Sequence, residues 1–189
     1  MKEVGLAIPK VPVFFLKPPS SLIGPGEAVV LPPQSQRVEY EGELAVVVKN
    51  FMRNTPPSEV LKNLLGYTCV NDVTARDIQV QGGNLLHLCH SKSFDSFCPT
   101  GPWVETELDA HSIDIELRIN GEVRQRKTNT SDMIFPVEEM VSYFSQVMSL
   151  LPGDLILTGA PPGVGPMVAG DTVEVIIQNV GTLTHTVTH

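Results

Sequence analysis

The apolar residues of this chain fall into short runs closed off by proline, glycine or small polar residues. Short runs bounded this way read as strands, whereas a helix shows apolar residues at a 3.6-residue period. The pattern predicts strands at Val13–Leu16, Ala28–Leu31, Glu43–Val48, Gly66–Val70, Ile113–Ile119, Leu155–Thr158 and Thr172–Ile177. Asn120-Gly121 stands between Ile113–Ile119 and Val123–Gln125, and this pair supplies the backbone conformation of a tight hairpin. Pro152-Gly153-Asp154 marks a turn ahead of Leu155. Two segments carry helical spacing instead. Pro57–Leu65 gathers Val60, Leu61, Leu64 and Leu65 on one face, with Ser58 as its cap. Val137–Leu151 aligns Met140, Val141, Phe144, Val147, Met148 and Leu151, with Glu138 and Glu139 at the positive end of the helix dipole. Both stripes read as core rather than chemistry.

Length and composition set bounds on this picture. With 189 residues, 42% of them hydrophobic, the chain can bury one sizeable core, so residues 1–189 read as a single domain. The formal charge of −8 argues against nucleic acid and anionic membranes, which select clustered Lys and Arg. No apolar run approaches the roughly 20 residues of a membrane-spanning helix, and Met1 to Lys10 lacks the apolar stretch of a signal peptide. Cys69, Cys89 and Cys98 form no C-x-x-C pair, which fits a reducing compartment without disulfides. The expectation is a cytoplasmic protein, or a mitochondrial one whose transit peptide has been removed.

The candidate chemistry is acidic. In a strand, residues two apart share a face, so Glu41 and Glu43 project side by side from Glu41-Gly42-Glu43. Two such carboxylates either sit in water at the start of a strand or share a cation. Asp72 ends the run Gly66-Tyr67-Thr68-Cys69-Val70-Asn71 and reads as a turn residue or as a third ligand. Three carboxylates with no His or Cys at ligand spacing make an oxygen-only donor set. Magnesium or manganese suits it, calcium is compatible, and zinc is less favoured. Lys92, close in sequence to Phe94 and Phe97, is either a snorkelling surface lysine or a desolvated cation that stabilises an oxyanion. The loop Leu157-Thr158-Gly159-Ala160-Pro161-Pro162-Gly163-Val164-Gly165 either connects strands or offers its amides and Thr158 to a carboxylate.

Five stretches share an order and spacing that resemble the fumarylacetoacetate hydrolase family over nearly the whole chain. They are Phe15-Leu16-Lys17-Pro18-Pro19-Ser20-Ser21, Tyr40-Glu41-Gly42-Glu43-Leu44-Ala45, Val70-Asn71-Asp72-Val73-Thr74-Ala75-Arg76-Asp77, Lys92-Ser93-Phe94-Asp95 and Leu157-Thr158-Gly159-Ala160-Pro161-Pro162-Gly163. The resemblance implies an α+β fold, mainly β, with a rolled mixed sheet, and a homodimer. It implies metal ligation by Glu41, Glu43 and Asp72. Roles beside the substrate or the ligands fall to Arg76, Gln79, Lys92, Thr158 and Gly159. Ser96 stands where relatives usually carry threonine, and a substrate-binding hydroxyl is expected there.

Two departures from the family pattern bear on activity. Relatives carry Asn-Tyr-x-x-His-x-x-Glu before the proline-rich start. Glu3 matches that glutamate, while the histidine would fall just before Met1. In hydrolytic relatives this pair activates water. Relatives also often have Gln-Trp-x-x-Gly where His87-Leu88-Cys89-His90-Ser91 stands, and His87 and His90 read as substitute bases or as local surface residues. The implied substrate is a small 2-oxo carboxylate. Magnesium-dependent hydrolysis of an acylpyruvate-like C–C bond comes first. Isomerisation or decarboxylation of a 2-hydroxy-diene dioate or of oxaloacetate comes second. A metal-binding homologue with an incomplete lid and little turnover is the third expectation.

Overall fold

The computed structural model describes residues 9–81 and 87–189. Thirteen strands and four short helices are found among these residues. The first strands are β1 (Leu22–Ile23), β2 (Ala28–Val30), β3 (Val38–Tyr40) and β4 (Gly42–Val48). Helix α1 (Pro57–Val60) runs through a 3-10 turn into β5 (Leu64–Asn71), followed by β6 (Thr74–Ala75), α2 (Arg76–Gln79) and α3 (Leu88–Lys92). Then come β7 (Cys98–Glu105), β8 (Asp114–Ile119), β9 (Glu122–Asn129) and α4 (Val137–Val147). The chain finishes with β10 (Leu155–Leu157), β11 (Gly165–Pro166), β12 (Thr172–Ile177) and β13 (Gly181–Thr188).

These strands form three sheets, ordered β1-β7-β5-β4-β10, β11-β3-β6 and β2-β13-β12-β8-β9. Both five-stranded sheets are mixed, with β1–β7 and β2–β13 the parallel pairs. The fold is α+β and mainly β, in agreement with the sequence pattern. All seven residues of β4 are buried, so the sheet around it is covered on both faces. By contrast, β8 and β12 alternate between buried and half-buried positions, as expected of strands with one face on the core. Their inward residues Ile115, Leu117, Ile119, Val173, Val175 and Ile177 join Leu44, Val46 and Phe97 in the main core. Asn120 (φ 53°) and Gly121 (φ 80°) close the β8–β9 hairpin where the sequence placed it.

Several expected elements differ in extent or kind. Val13–Leu16 forms no strand. Phe14 packs its ring 5.1 Å from Phe144, while Val13 and Leu16 face solvent. The expected helix Pro57–Leu65 stops at Val60, and Leu64 and Leu65 already belong to β5. Pro56, not Ser58, occupies its N-cap. Helix α4 ends at Val147 rather than Leu151. Met148 turns to extended backbone, and Leu150 pairs instead with Met52. β7 and β13 lie among residues where no strand was expected. The three cysteines are free, with Cys69 and Cys98 buried and Cys89 exposed. No helix of the described residues is long and apolar enough to cross a membrane.

Candidate functional site

β4 and β5 pair antiparallel with Gly42 opposite Asn71, which brings Glu41 and Glu43 to the end of β5 where Asp72 follows. The Asp72 N–H donates to the Glu41 carbonyl at 2.8 Å and locks this junction. Carboxylate oxygens of Glu41, Glu43 and Asp72 lie within 4.8 Å of one another, close enough to hold one metal ion. Glu43 and Asp72 are almost wholly buried, at 2% and 1% exposure, and the Glu41 side chain is 12% exposed.

Cations from three other segments meet these carboxylates. Lys92, at the end of α3, donates to Asp72 Oδ2 at 2.5 Å, Glu41 Oε2 at 2.7 Å and Thr74 Oγ1 at 2.8 Å. Its ammonium also lies 4.7 Å from the centre of the Phe15 ring. Lys17 holds the other oxygen of Asp72, Oδ1, at 2.7 Å. Arg76, opening α2, donates to Glu41 Oε1, to Gln79 Oε1 and, at 2.6 Å, to Glu39 Oε2. Glu43 stands apart: its Oε2 accepts the Gly159 N–H at 2.7 Å.

These contacts sort the charges. Burial raises the Asp72 pKa, but Lys92 and Lys17 outweigh it and hold the carboxyl below its ordinary value. Burial also opposes the charge of Lys92, yet Asp72, Glu41 and Glu43 prevail and raise its pKa, so it stays an ammonium. Burial, Asp72 and Glu41 all push Glu43 well above the usual carboxylate range, and Lys92 only partly offsets them. A further cation next to Glu43 would reverse that shift. The donor set is three hard oxygens, and the charge imbalance falls on one of them. Both properties fit a divalent ion of the magnesium, manganese or calcium type.

The remaining expected residues divide into those at the cluster and those beside it. Gln79 is buried and joined to Arg76. Gly159 reaches the cluster through its backbone, with a protein carboxylate as its partner. The Thr158 hydroxyl donates to the Leu44 carbonyl at 2.8 Å and clips its loop to β4. Ser96 Oγ accepts the Val30 N–H at 2.8 Å, which ties it to β2 rather than to the carboxylates. His87 stands at the N-cap position of α3 without a side-chain capping bond, and His90 is an exposed residue within the helix, its ring 5.9 Å from Phe94. Glu3 lies outside the described residues. Sequence reasoning assigned no role to Lys17, Glu39, Asn71, Thr74, Gln125 or His185, although Lys17 stands directly before Pro18-Pro19 in a motif already singled out. Gln125, in β9, is 83 residues from the Gly42 amide it accepts from, and no local pattern marks such a contact.

The fold and this site define a family of enzymes. The C-terminal domain model of fumarylacetoacetate hydrolase matches residues 1–188, and the chain belongs to the fumarylacetoacetate hydrolase family. Three relatives show the range of activities nearby. The structure of 2-hydroxyhepta-2,4-diene-1,7-dioate isomerase from Mycobacterium marinum superposes with a TM-score of 0.90 at 43% identity, over 95% of this chain and 70% of that one. Mitochondrial oxaloacetate tautomerase of Homo sapiens is 41% identical, over 96% of this chain and 60% of the relative. Maleylpyruvate hydrolase from Sphingobium superposes with a TM-score of 0.82 at 38% identity, over 92% of this chain and 64% of that one.

Proposed function

We propose that the chain binds a divalent cation, magnesium first, through Glu41, Glu43 and Asp72, and interconverts the enol and keto forms of a small 2-oxo dicarboxylate. The observation that carries this reading is the buried Lys92 ammonium shared by Glu41 and Asp72, beside a third carboxylate whose pKa is driven up. A bound divalent cation would supply Lewis-acid polarisation of a substrate oxygen. The protein supplies the rest. Lys92 keeps its proton, so it acts as a fixed positive charge next to the oxygen on which negative charge builds. Lys17 adds a second ammonium on the opposite side of Asp72. Arg76 keeps Glu41 and Gln79 in register with Glu39. Tautomerisation moves one proton between oxygen and carbon by way of an enolate and consumes no water. This charge arrangement serves it by stabilising the negative oxygen between the two proton transfers, and no water-activating base is needed. The isomerase and tautomerase relatives favour the same chemistry.

Hydrolysis of an acylpyruvate-like substrate is the second reading, favoured by the maleylpyruvate hydrolase relative. It adds the need for a base that activates water, a step typically worth about 10²–10⁴-fold in rate. One experiment separates the two. Decay of enol-oxaloacetate is followed by ultraviolet absorbance with magnesium and with a chelator, alongside acetylpyruvate cleavage. The expected result is magnesium-dependent acceleration of tautomerisation with slower cleavage. Metal-dependent cleavage without tautomerisation would establish the hydrolase instead, and inertness towards both substrates with magnesium bound would favour a homologue without turnover.

A further inference from the structure

The entry to β4, Glu41–Glu43, is gripped through two consecutive backbone amides. The Glu41 N–H donates to Asn71 Oδ1 at 2.8 Å, and the Gly42 N–H donates to Gln125 Oε1 at 2.8 Å. Asn71 and Gln125 both have 0% exposure. Each amide side chain is anchored at its other end as well. Gln125 Nε2 donates to the Pro161 carbonyl at 3.0 Å, in the loop whose Gly159 N–H holds Glu43. Asn71 Nδ2 lies 2.9 Å from His185 Nε2. The other ring nitrogen, Nδ1, is 3.2 Å from the Thr186 carbonyl oxygen, which can only accept. The proton therefore sits on Nδ1, Nε2 accepts from Asn71, and the Asn71 oxygen is left facing Glu41.

The packing is tight enough to fix these distances. A Cβ at Gly42 would meet Gln125 Oε1 at 3.0 Å, and one at Gly163 would meet Gln125 Cα at 3.2 Å. Such anchoring also bears on the spacing of the carboxylates. Carboxylates within 4.8 Å of one another repel, and unrestrained backbone would let them separate. The Glu41 N–H, the Gly42 N–H and the Pro161 carbonyl are backbone groups that no substitution of Asn71 or Gln125 removes, so an apolar residue at either position would leave its backbone partners unpaired at a cost in stability. The two side-chain amides therefore serve stability and carboxylate spacing together.

We propose that Gln125, together with Asn71, is a positioning residue: it clamps Glu41–Glu43, at the start of β4, to the Gly159–Pro161 loop so that the three carboxylates keep the spacing a divalent cation requires. The inference rests on the metal reading above and names residues that reading does not use. Partners that orient metal ligands typically contribute about 10–100-fold in affinity.

Manganese(II) is the probe. Its binding to the wild-type chain and to Gln125→Met, Gln125→Asn and Gln125→Glu is measured by electron paramagnetic resonance, with the fold of each checked by circular dichroism melting. Methionine keeps the volume of glutamine without its polar end, and asparagine is too short to join Gly42 to Pro161. A glutamic acid kept neutral by burial accepts from Gly42 and donates to Pro161, as glutamine does. Gln125→Met should bind manganese about 10–100-fold more weakly, with an altered signal from the bound ion. Gln125→Glu should recover most of the affinity. If Gln125→Met does not fold, Gln125→Asn carries the comparison with the same expected loss. Wild-type affinity in a folded Met or Asn variant overturns the positioning role, as does a Glu variant no tighter than the apolar one. A wild-type chain that fails to bind manganese overturns the metal reading itself, and this inference with it.

Discussion

His185 has no exposed surface, and burial lowers its pKa from 6.5 to about 4. The sign of the consequence follows from linkage. The unfolded chain binds a proton as pH falls through 6.5, whereas the folded chain resists until about 4. The contribution of His185 is therefore complete above pH 6.5 and is lost progressively between 6.5 and about 4. The full loss is about 3 kcal/mol as an order of magnitude. Denaturant midpoints measured across that window should fall for the wild type, and the fall should be shallower in His185→Gln. An equal slope in both would assign the acid sensitivity to the carboxylates instead. The residue scale is also where the sequence was most and least informative. Glu41, Glu43 and Asp72 were legible as candidates because strand periodicity and a strand end are local facts, while the family resemblance singled them out as one ligand set. Lys17, Asn71, Gln125 and His185 were not, because their partners are supplied by segments 30 to 114 residues away.

At the scale of elements, β5 and β7 approach each other closely at Gly66, where an added Cβ would stand 2.1 Å from the Glu105 carbonyl oxygen. That oxygen is backbone and cannot swing away. Gly66→Ala should cost about 1–3 kcal/mol, a fall of roughly 2–4 °C in melting temperature per kcal/mol for a chain of this size. Thermal melting followed by circular dichroism checks it, with Gly121→Ala as a contrast, since a Cβ at Gly121 meets nothing within 4 Å and only its φ of 80° opposes the change. An undisturbed melting temperature in Gly66→Ala would mean the two strands can part freely. Elements with clean alternation, such as β8 and β12, were readable from the chain. β7 was not, because Pro99, Gly101 and Pro102 interrupt its pattern, and β13 was not, because threonines fill most of its outward positions. Helix α1 was overread because Leu64 and Leu65 satisfy a helical stripe while tertiary pairing claims them for β5.

For the whole molecule, the fold class was visible in the density of short apolar runs, but the sheet order was not, since β2 pairs with β13 and β4 with β10, partners far apart in the chain. We propose a homodimer on the strength of family membership. Exposed Leu22, Phe51, Trp103, Val147 and Leu151 give an interface apolar material to bury. A stable interface covers about 1,200–2,000 Å² in total. Sedimentation equilibrium with magnesium present should return twice the chain mass of 20.6 kDa, and a single-chain mass at high concentration would rule the dimer out.

The parallel pairing of β2 with β13 also sets a schedule for biosynthesis. β13 sits between β2 and β12, and it carries the histidine that orients Asn71. A ribosome releases β2 early and β13 after every other described strand. Until then β2 has no strand partner, β12 has an open edge, and Asn71 Nδ2 lacks the ring nitrogen that accepts from it. The carboxylate site therefore takes its final geometry only after translation has passed the last strand, and a chain stalled before Gly181 would hold all three carboxylates without the ring that aligns them.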